Sequence, residues 1–181
     1  VEDIVVEIHT SDGRIGRGEA PPTAAVTGET LGSIEAALRG HIAPALAGRD
    51  VAGLEDALVA IDHSIVGNSS AKAAAEIAVW DLYSQNCGIP LYKLLGGSRN
   101  TLVTDITISV NAPEVMAKDT ADALARGYET LKIKVGENPA LDLARLKAVR
   151  AAAPGATIRI DANQAWTPRQ AGRLLENMQA E

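Results

Sequence analysis

The chain has 181 residues, of which 46% are hydrophobic and 22% charged, as expected for one large or two small soluble globular domains. Its net charge of −6, its scattered basic residues and its aromatic content of only 3% exclude a nucleic-acid surface with a basic patch or a base-stacking platform. No segment has the pattern of a signal peptide or of a bilayer-spanning run, which predicts a cytoplasmic protein without a membrane partner.

The first half of the chain predicts a β-hairpin followed by three helices. The turn signal Asp12-Gly13 separates two short segments with strand character, residues 4–9 and 15–19. An isolated hairpin is only marginally stable, which suggests that an earlier partner strand is lacking. Apolar residues at helical spacing predict the helices. The positions are Leu31, Ile34, Leu38 and Ile42 for the first helix, Leu54, Leu58 and Ile61 for the second with Asp50 as its cap, and residues 70–86 for the third with Ile77 and Trp80 on one face.

The single cysteine, Cys87, excludes an internal disulfide and a cysteine metal site. It precedes Gly88 at the predicted end of the third helix, and no histidine lies near it in sequence to activate the thiol. We therefore expect Cys87 to be a buried, inert thiol rather than a nucleophile.

A domain boundary is predicted near residue 100, which gives domains 1–99 and 100–181. Beyond it, residues 104–111, 130–135 and 158–163 each alternate apolar and polar side chains, and a helical segment follows each of them. This order predicts parallel βα units. The strands of a doubly wound sheet are usually apolar throughout, so three strands with a polar side suit a barrel with its active site at the mouth. A barrel needs about eight such units, so we expect the chain to be truncated at both ends or completed by a second chain.

Lys132 and Lys134 lie two positions apart on the second predicted strand, so both side chains project to the same side. Mutual repulsion and partial burial lower the pKa of neighbouring lysines, and a lysine near neutrality can remove a proton from carbon. The alternative interpretation is a solvated strand face, on which lysines are common.

Asp161 ends the third predicted strand, and Asn163 follows two residues later. Two oxygen donors at this position suit a hard cation such as Mg²⁺. Alternatively, Asp161 simply pairs with Lys132 or Lys134 on the neighbouring strand. Thr107, on the first strand, is able to hydrogen-bond either a substrate or the neighbouring strand.

Three motifs resemble the enolase superfamily, in its muconate-lactonising subgroup: GRGEAPP at residues 16–22, LKIKVG at 131–136 and IDANQAW at 160–166. Within this subgroup the chain is most similar to the dipeptide epimerases of the L-Ala-D/L-Glu type, of which TDITISVN at 104–111 and residues 18–22 are typical. The resemblance covers essentially the whole chain. It implies an α/β protein in which an α+β capping domain precedes a TIM-like (β/α)7β barrel, here represented by its first three βα units. It also implies that the first strand and the covering loop of the capping domain lie before Val1.

The resemblance further implies a Mg²⁺-dependent isomerase that removes the α-proton of a dipeptide through an enediolate. By motif position, Lys134 is the acid/base, and Lys132 is its electrostatic helper and a contact of the substrate carboxylate. Thr107 contacts the substrate, Asp161 is the first metal ligand, and Asn163 lies in the next layer around it. The remaining acidic ligands and the opposite-face lysine are expected beyond Glu181.

Two kinds of alternative remain open at this point. Within the same subgroup, N-acylamino-acid racemase, o-succinylbenzoate synthase and muconate cycloisomerase share the lysine pair and the metal site. The alternative of a different class is a non-catalytic protein: a truncated fragment, or a half-barrel that binds a partner. We expect the 181-residue chain alone to be inactive, and its open strand edges predict a homo-oligomer.

Overall fold

The computed structural model describes residues 2–179, with side chains described as far as residue 177. The residues divide into two compact units, with the division between Asn100 and Thr101. The first unit contains a two-stranded sheet, and the second contains a three-stranded sheet. Within the described residues, no helix is both long and apolar enough to cross a bilayer.

The first unit begins with the predicted hairpin. Strands β1 (Ile4–His9) and β2 (Ile15–Ala20) pair antiparallel, and β2 is one residue longer than predicted. Gly13 has a φ of +89°, which glycine adopts without steric cost, so the Asp-Gly turn signal is confirmed.

The helices of the first unit are α1 (Leu31–Ala37), a π-helical turn (Leu38–Ile42), α2 (Ala43–Leu46), α3 (Leu54–Ser64), α4 (Ser69–Cys87) and α5 (Leu91–Leu94). The first predicted helix is therefore in three pieces. Pro44 lies in the first turn of α2, and the Ala43 amide donates to the Leu38 carbonyl five residues back. Proline has no amide proton to continue a regular α-helical ladder, which accounts for the interruption.

Strand β2 lies directly on α4 because two glycines leave no side chain between them. A Cβ atom on Gly16 would collide with the backbone carbonyl of Ala78, and one on Gly18 would collide with that of Ala74. The buried face of α4 is correspondingly made mostly of alanines. Its members are Ala71, Ala74, Ala75, Ala78, Val79, Leu82 and Ser84. Ile77 lies outside that face and is 48% exposed, because the strand glycines require alanines opposite them.

Two expectations for the first unit are wrong. Asp50 does not cap α3, whose N-cap is Gly53; its Oδ1 instead accepts from the Ala52 amide at 2.9 Å. Cys87 is exposed rather than buried, at the last turn of α4.

The start of α4 is capped by a distant carboxylate. The N-cap residue Asn68 makes no side-chain capping bond. Instead, the carboxylate of Glu29, 6% exposed, accepts from the Ser70 amide at 3.0 Å, the Ala71 amide at 3.4 Å and the Ser69 hydroxyl at 3.0 Å. A carboxylate at a helix N-terminus satisfies free amides and complements the helix dipole.

The second unit alternates strands and helices as predicted. Its elements are β3 (Ile106–Ile108), α6 (Pro113–Ala125), β4 (Thr130–Lys134), α7 (Pro139–Ala152), β5 (Thr157–Asp161) and α8 (Pro168–Gln179). The strands pair in parallel in the order β3-β4-β5, which confirms the predicted βα units, although β3 is shorter than the predicted segment.

Three helix signals that the sequence carries also hold in the second unit. Gly127, where the sequence predicts the end of a helix, has a φ of +88° just after α6. Asn138, which the sequence predicts to open the next helix, accepts with its side chain from the amides of Ala140 and Leu141 at the start of α7. The sequence of residues 167–170 predicts a capping box, and Thr167 and Gln170 form it before α8.

The core of the second unit lies on one face of its sheet. Ile108, Leu131 and Ile133 alternate along β3 and β4 and are buried against Met116 of α6 and Val149 of α7. Because side chains alternate along a strand, the residues between them form the opposite face of the sheet, which is polar.

Candidate active site

Strand register places the predicted site residues on the polar face of the second unit. Thr107 of β3, Lys132 of β4 and Arg159 of β5 occupy paired positions, and Lys134 is paired with Asp161 one step further along. Paired residues of parallel strands point to the same side. The strands thus carry the polar side chains to a shared surface, at the carboxyl ends of β4 and β5.

Asp161 is the centre of this surface. Its Oδ2 lies 2.8 Å from Nζ of Lys134 and 3.0 Å from Nζ of Lys132. Its Oδ1 accepts from the backbone amide of Asn163 at 2.9 Å. The sequence left open whether Asp161 pairs with Lys132 or with Lys134, and in the structure Asp161 pairs with both.

Asn163 joins the cluster from the turn after β5. Its Oδ1 accepts from Nζ of Lys134 at 2.5 Å. Asn163 and Gln164 have φ values of +45° and +65°, a left-handed backbone conformation that non-glycine residues adopt rarely and asparagine more readily than most. This turn directs the side-chain oxygen of Asn163 back toward the Lys134 ammonium.

The contacts of Asp161 set its protonation state. Hydrogen bonding by the Lys134 ammonium, by the Asn163 amide and by the Lys132 ammonium holds the pKa of Asp161 well below its usual range. Asp161 is therefore ionised at neutral pH. Its side chain is 27% exposed, so solvent reaches it from the open side of the sheet.

The structure brings together four of the five predicted site residues: Lys132, Lys134, Asp161 and Asn163. Thr107 lies next to Lys132 by strand register, and its side chain is exposed. The oxygen donors of Asp161 and Asn163 are of the kind that Mg²⁺ prefers. The described residues contain no group of three His, Cys, Asp or Glu side chains that could hold a metal ion.

An ion pair on the same face was missed from the sequence. Nη1 of Arg159 lies 3.0 Å from Oδ2 of Asp105, which precedes β3. Both residues have the same strand parity as Lys132, and this shared parity was the available signal. The pair adds a second cation next to Lys132 and a carboxylate to balance it.

A buried network behind the site was also missed. Asp142 and Arg145, both on α7, have side chains that are 0% and 4% exposed. They contact each other and the segments that follow β3 and β4. The sequence carried no signal for this network, because a charged pair three residues apart on a helix usually faces solvent.

The described residues also contain a groove of about 1170 Å³ within the first unit, along β1. Partly buried aliphatic side chains of β1 and of the following helices line much of it, such as Ile4, Val6, Leu38 and Leu46. We nevertheless place the candidate site on the polar face of the second unit, because two lysines and a carboxylate converge there at strand ends, where α/β barrels hold catalytic groups.

Comparison with known proteins identifies the family. Residues 2–96 match the model of the mandelate racemase / muconate lactonizing enzyme N-terminal domain, and residues 115–181 match the enolase C-terminal domain-like model. The chain belongs to this family of the enolase superfamily. The predicted fold class is thereby confirmed: the chain is an α/β protein with an N-terminal capping domain and part of a C-terminal barrel.

Individual relatives cover the whole chain. It is 51% identical over 182 residues to an L-Ala-D/L-Glu epimerase of Clostridium acetobutylicum, an alignment that covers 100% of this chain and 51% of the relative. The substrate-liganded structure of the L-Ala-D/L-Glu epimerase from Bacillus subtilis superimposes with a TM-score of 0.93 at 46% identity, covering 98% of this chain and 50% of that one.

A dipeptide epimerase from Cytophaga hutchinsonii, solved with Mg and the dipeptide D-Ala-L-Val, gives a TM-score of 0.89 at 36% identity. That alignment covers 98% of this chain and 49% of the other. The chain thus spans about half the length of the relatives it matches.

Proposed function

We propose that this chain supplies part of the active site of a Mg²⁺-dependent dipeptide epimerase of the L-Ala-D/L-Glu type. The observation that carries the proposal is the cluster of Lys132, Lys134 and Asp161 at the carboxyl ends of adjacent parallel strands. The names of the similar proteins support the choice of substrate class. We further propose that residues 1–99 are the capping domain, and that residues 100–181 are the first three βα units of the barrel domain.

In this proposal Lys134 moves the α-proton. Its side chain is 27% exposed on the polar face, and hydrogen bonds from its ammonium to Asp161 and Asn163 fix its position. The ammonium must first release a proton; the neutral amine then takes the α-proton from one face of the substrate carbon and, as the ammonium again, returns a proton to the same face. Inversion needs a second acid/base group on the opposite face.

Three further residues bind the substrate or the metal ion and balance the charge of the substrate carboxylate: Lys132, Thr107 and Asp161. Lys132, 37% exposed, places a positive charge beside Lys134, where a substrate carboxylate gains negative charge as its α-proton leaves. The hydroxyl of Thr107 lies at the adjacent register position and is available to the substrate. Asp161 would hold Mg²⁺, which when bound supplies further positive charge to the substrate carboxylate.

The experiment that tests the proposal is proton exchange at the dipeptide α-carbon. The whole protein is incubated with Mg²⁺ and L-Ala-L-Glu in D₂O, and proton NMR follows the α-signal of the glutamate. We expect loss of that signal and formation of L-Ala-D-Glu. Lys134→Met should lower the rate of L-Ala-D-Glu formation about 10²–10⁴-fold, as loss of one acid/base group does, whereas Lys118→Met, which removes an exposed lysine of α6, should leave that rate unchanged.

Three results would contradict the proposal. Formation of L-Ala-D-Glu at the parental rate in Lys134→Met would assign the proton transfer to another group. Activity on an N-acylamino acid, but on no dipeptide, would place the protein with the racemases of the same subgroup. Absence of exchange with every one of these substrates would favour the non-catalytic alternative.

A further inference from the structure

We propose that Arg145 is a positioning residue. Together with Asp142, it fixes the position of the strand ends that carry Lys134 and Asp161. The expected effect on catalysis rests on the proposed function. The positions of the strand ends are argued from contacts within the second unit alone.

All three guanidinium nitrogens of Arg145 are used. Nη1 lies 2.9 Å from Oδ1 of Asp142, Nη2 lies 2.9 Å from Oε2 of Glu137, and Nε donates to the Asn111 carbonyl at 2.7 Å. Asn111 follows β3 and Glu137 follows β4. One side chain of α7 therefore ties together the segments that leave two neighbouring strands of the site.

Asp142 carries the connection to the backbone next to Lys134. Its Oδ2 accepts from the amide of Gly136, two residues beyond Lys134, at 2.9 Å. Gly136 has a φ of +117°, and a Cβ atom there would lie 2.7 Å from Cβ of Ala165 and 2.9 Å from the Ala162 carbonyl oxygen. The segment after β4 is thus fitted against the segment after β5.

The same segment is joined to Asp161 directly. The Val135 amide, between Lys134 and Gly136, donates to the Asp161 carbonyl at 3.1 Å. A displacement of the Gly136 backbone would consequently move both ends of the Lys134–Asp161 contact. In enzymes, a misplacement of about 1 Å can lower the rate about 10²-fold.

The burial of the pair indicates a role beyond stability. A buried ion pair recovers its desolvation cost poorly, and apolar residues of similar volume often stabilise a fold equally well. Apolar residues would not replace the three hydrogen bonds to Gly136, Glu137 and Asn111. Positioning of those segments is the property that requires these two side chains.

The test uses the whole protein with three variants. Arg145→Lys keeps a positive charge beside Asp142 but removes the planar fork that reaches three partners. The double variant Asp142→Leu with Arg145→Met removes both charges and keeps the core filled. Arg150→Lys is the matched control, since Arg150 lies on the same helix and donates to carbonyls at its far end, those of Ala153, Pro154 and Ala156.

Two measurements are made at a temperature at which each variant is folded. Amide hydrogen exchange in residues 109–112 and 135–138 should be faster by about tenfold or more in Arg145→Lys and in the double variant, and unchanged in Arg150→Lys. With L-Ala-L-Glu and Mg²⁺ at saturation, kcat should fall about 10–100-fold in the first two, with a smaller change in KM.

Unchanged exchange in those segments would overturn the inference. So would a double variant that is as stable as the parent and retains its kcat, because the pair would then be dispensable for positioning. Inactivity of the parent protein on the dipeptide would contradict the proposed function, while the exchange measurement would still decide whether Arg145 holds the segments.

Discussion

Lys134 and Asp161 occupy paired positions on adjacent parallel strands, with Nζ of the lysine 2.8 Å from Oδ2 of the aspartate. The same oxygen also contacts Lys132 at 3.0 Å. One carboxylate therefore balances two ammonium groups on the polar face of the sheet. This arrangement ties the properties of both lysines to a single residue.

Replacing Asp161 tests that dependence. In the whole protein, Asp161→Asn should lower Mg²⁺ affinity about 10–100-fold or more, because it removes a charged ligand and leaves the two lysines without a shared anion. Titration calorimetry with Mg²⁺ measures the effect. Asp122→Asn, which removes an exposed carboxylate of α6, is the control. Equal Mg²⁺ affinity of the parent and Asp161→Asn would exclude Asp161 as a ligand.

The 181-residue chain on its own should not exchange the α-proton of L-Ala-L-Glu in D₂O with Mg²⁺. The described residues of its site offer one carboxylate at the lysine pair and no group of three potential ligands, and Mg²⁺ gives up its water reluctantly. NMR under the conditions used for the whole protein provides the comparison. Exchange at a rate close to that of the whole protein would contradict this prediction.

Removing the distant cap of α4 should destabilise the first unit. Glu29→Ala is expected to cost about 1–2 kcal/mol in the free energy of unfolding, because the amides of Ser70 and Ala71 lose their acceptor. Urea denaturation measures it. Glu35→Ala, at an exposed residue paired with Arg39, should change stability by less than about 0.5 kcal/mol. Equal effects at the two positions would refute the capping role.

The same cap predicts a pH dependence. Burial raises the pKa of Glu29, but hydrogen bonds from Ser70, Ser69 and Ala71 outweigh it and hold the pKa below its usual value. A group with a lowered folded pKa contributes stability above its unfolded pKa, about 4.3 for glutamate, and loses it as the pH falls through the folded pKa. The stability difference between the parent and Glu29→Ala should therefore be full at pH 7 and shrink under acid. A difference that stays constant to pH 2 would contradict it.

Gly18 should not accept even a methyl group. Gly18→Ala places a Cβ atom against the backbone of Ala74 and is expected to cost at least about 1–3 kcal/mol, as overpacking does. Gly32→Ala, in α1 with nothing within 4 Å, should instead be stabilising by about 0.5–1 kcal/mol. Thermal unfolding of the two variants measures the change in Tm, which should be negative for Gly18→Ala and positive for Gly32→Ala. Stabilisation by Gly18→Ala would show that β2 and α4 separate easily.

Local patterns in the sequence predicted much of the second unit. Strand alternation alone placed Lys132, Lys134 and Asp161 on one side, and the parallel pairing confirms it. Helix boundaries followed from residues whose conformational preferences are strong, such as Gly127 and the box of Thr167 and Gln170. These features depend on neighbours within a few residues.

Long-range contacts account for the misses. Glu29 caps a helix that begins 40 residues later, and Arg145 bonds a carbonyl 34 residues before it. Neither spacing is encoded by a local pattern. The exposure of Ile77 depends on where β2 packs, because the strand glycines select the alanine face of α4 over the face with the larger residue. Side-chain hydrophobicity alone favours the opposite assignment.

The anchoring of Glu29 has a practical consequence for the preceding segment, residues 21–28. Ala20 is fully buried at one end and Glu29 is held by α4 at the other, while Val26 between them is 79% exposed. Lengthening a surface loop with fixed ends costs little, about 0.6 kcal/mol for each doubling. This segment is therefore a permissive insertion point, where a reporter peptide or a labelled cysteine can be introduced without unfolding the helices around it.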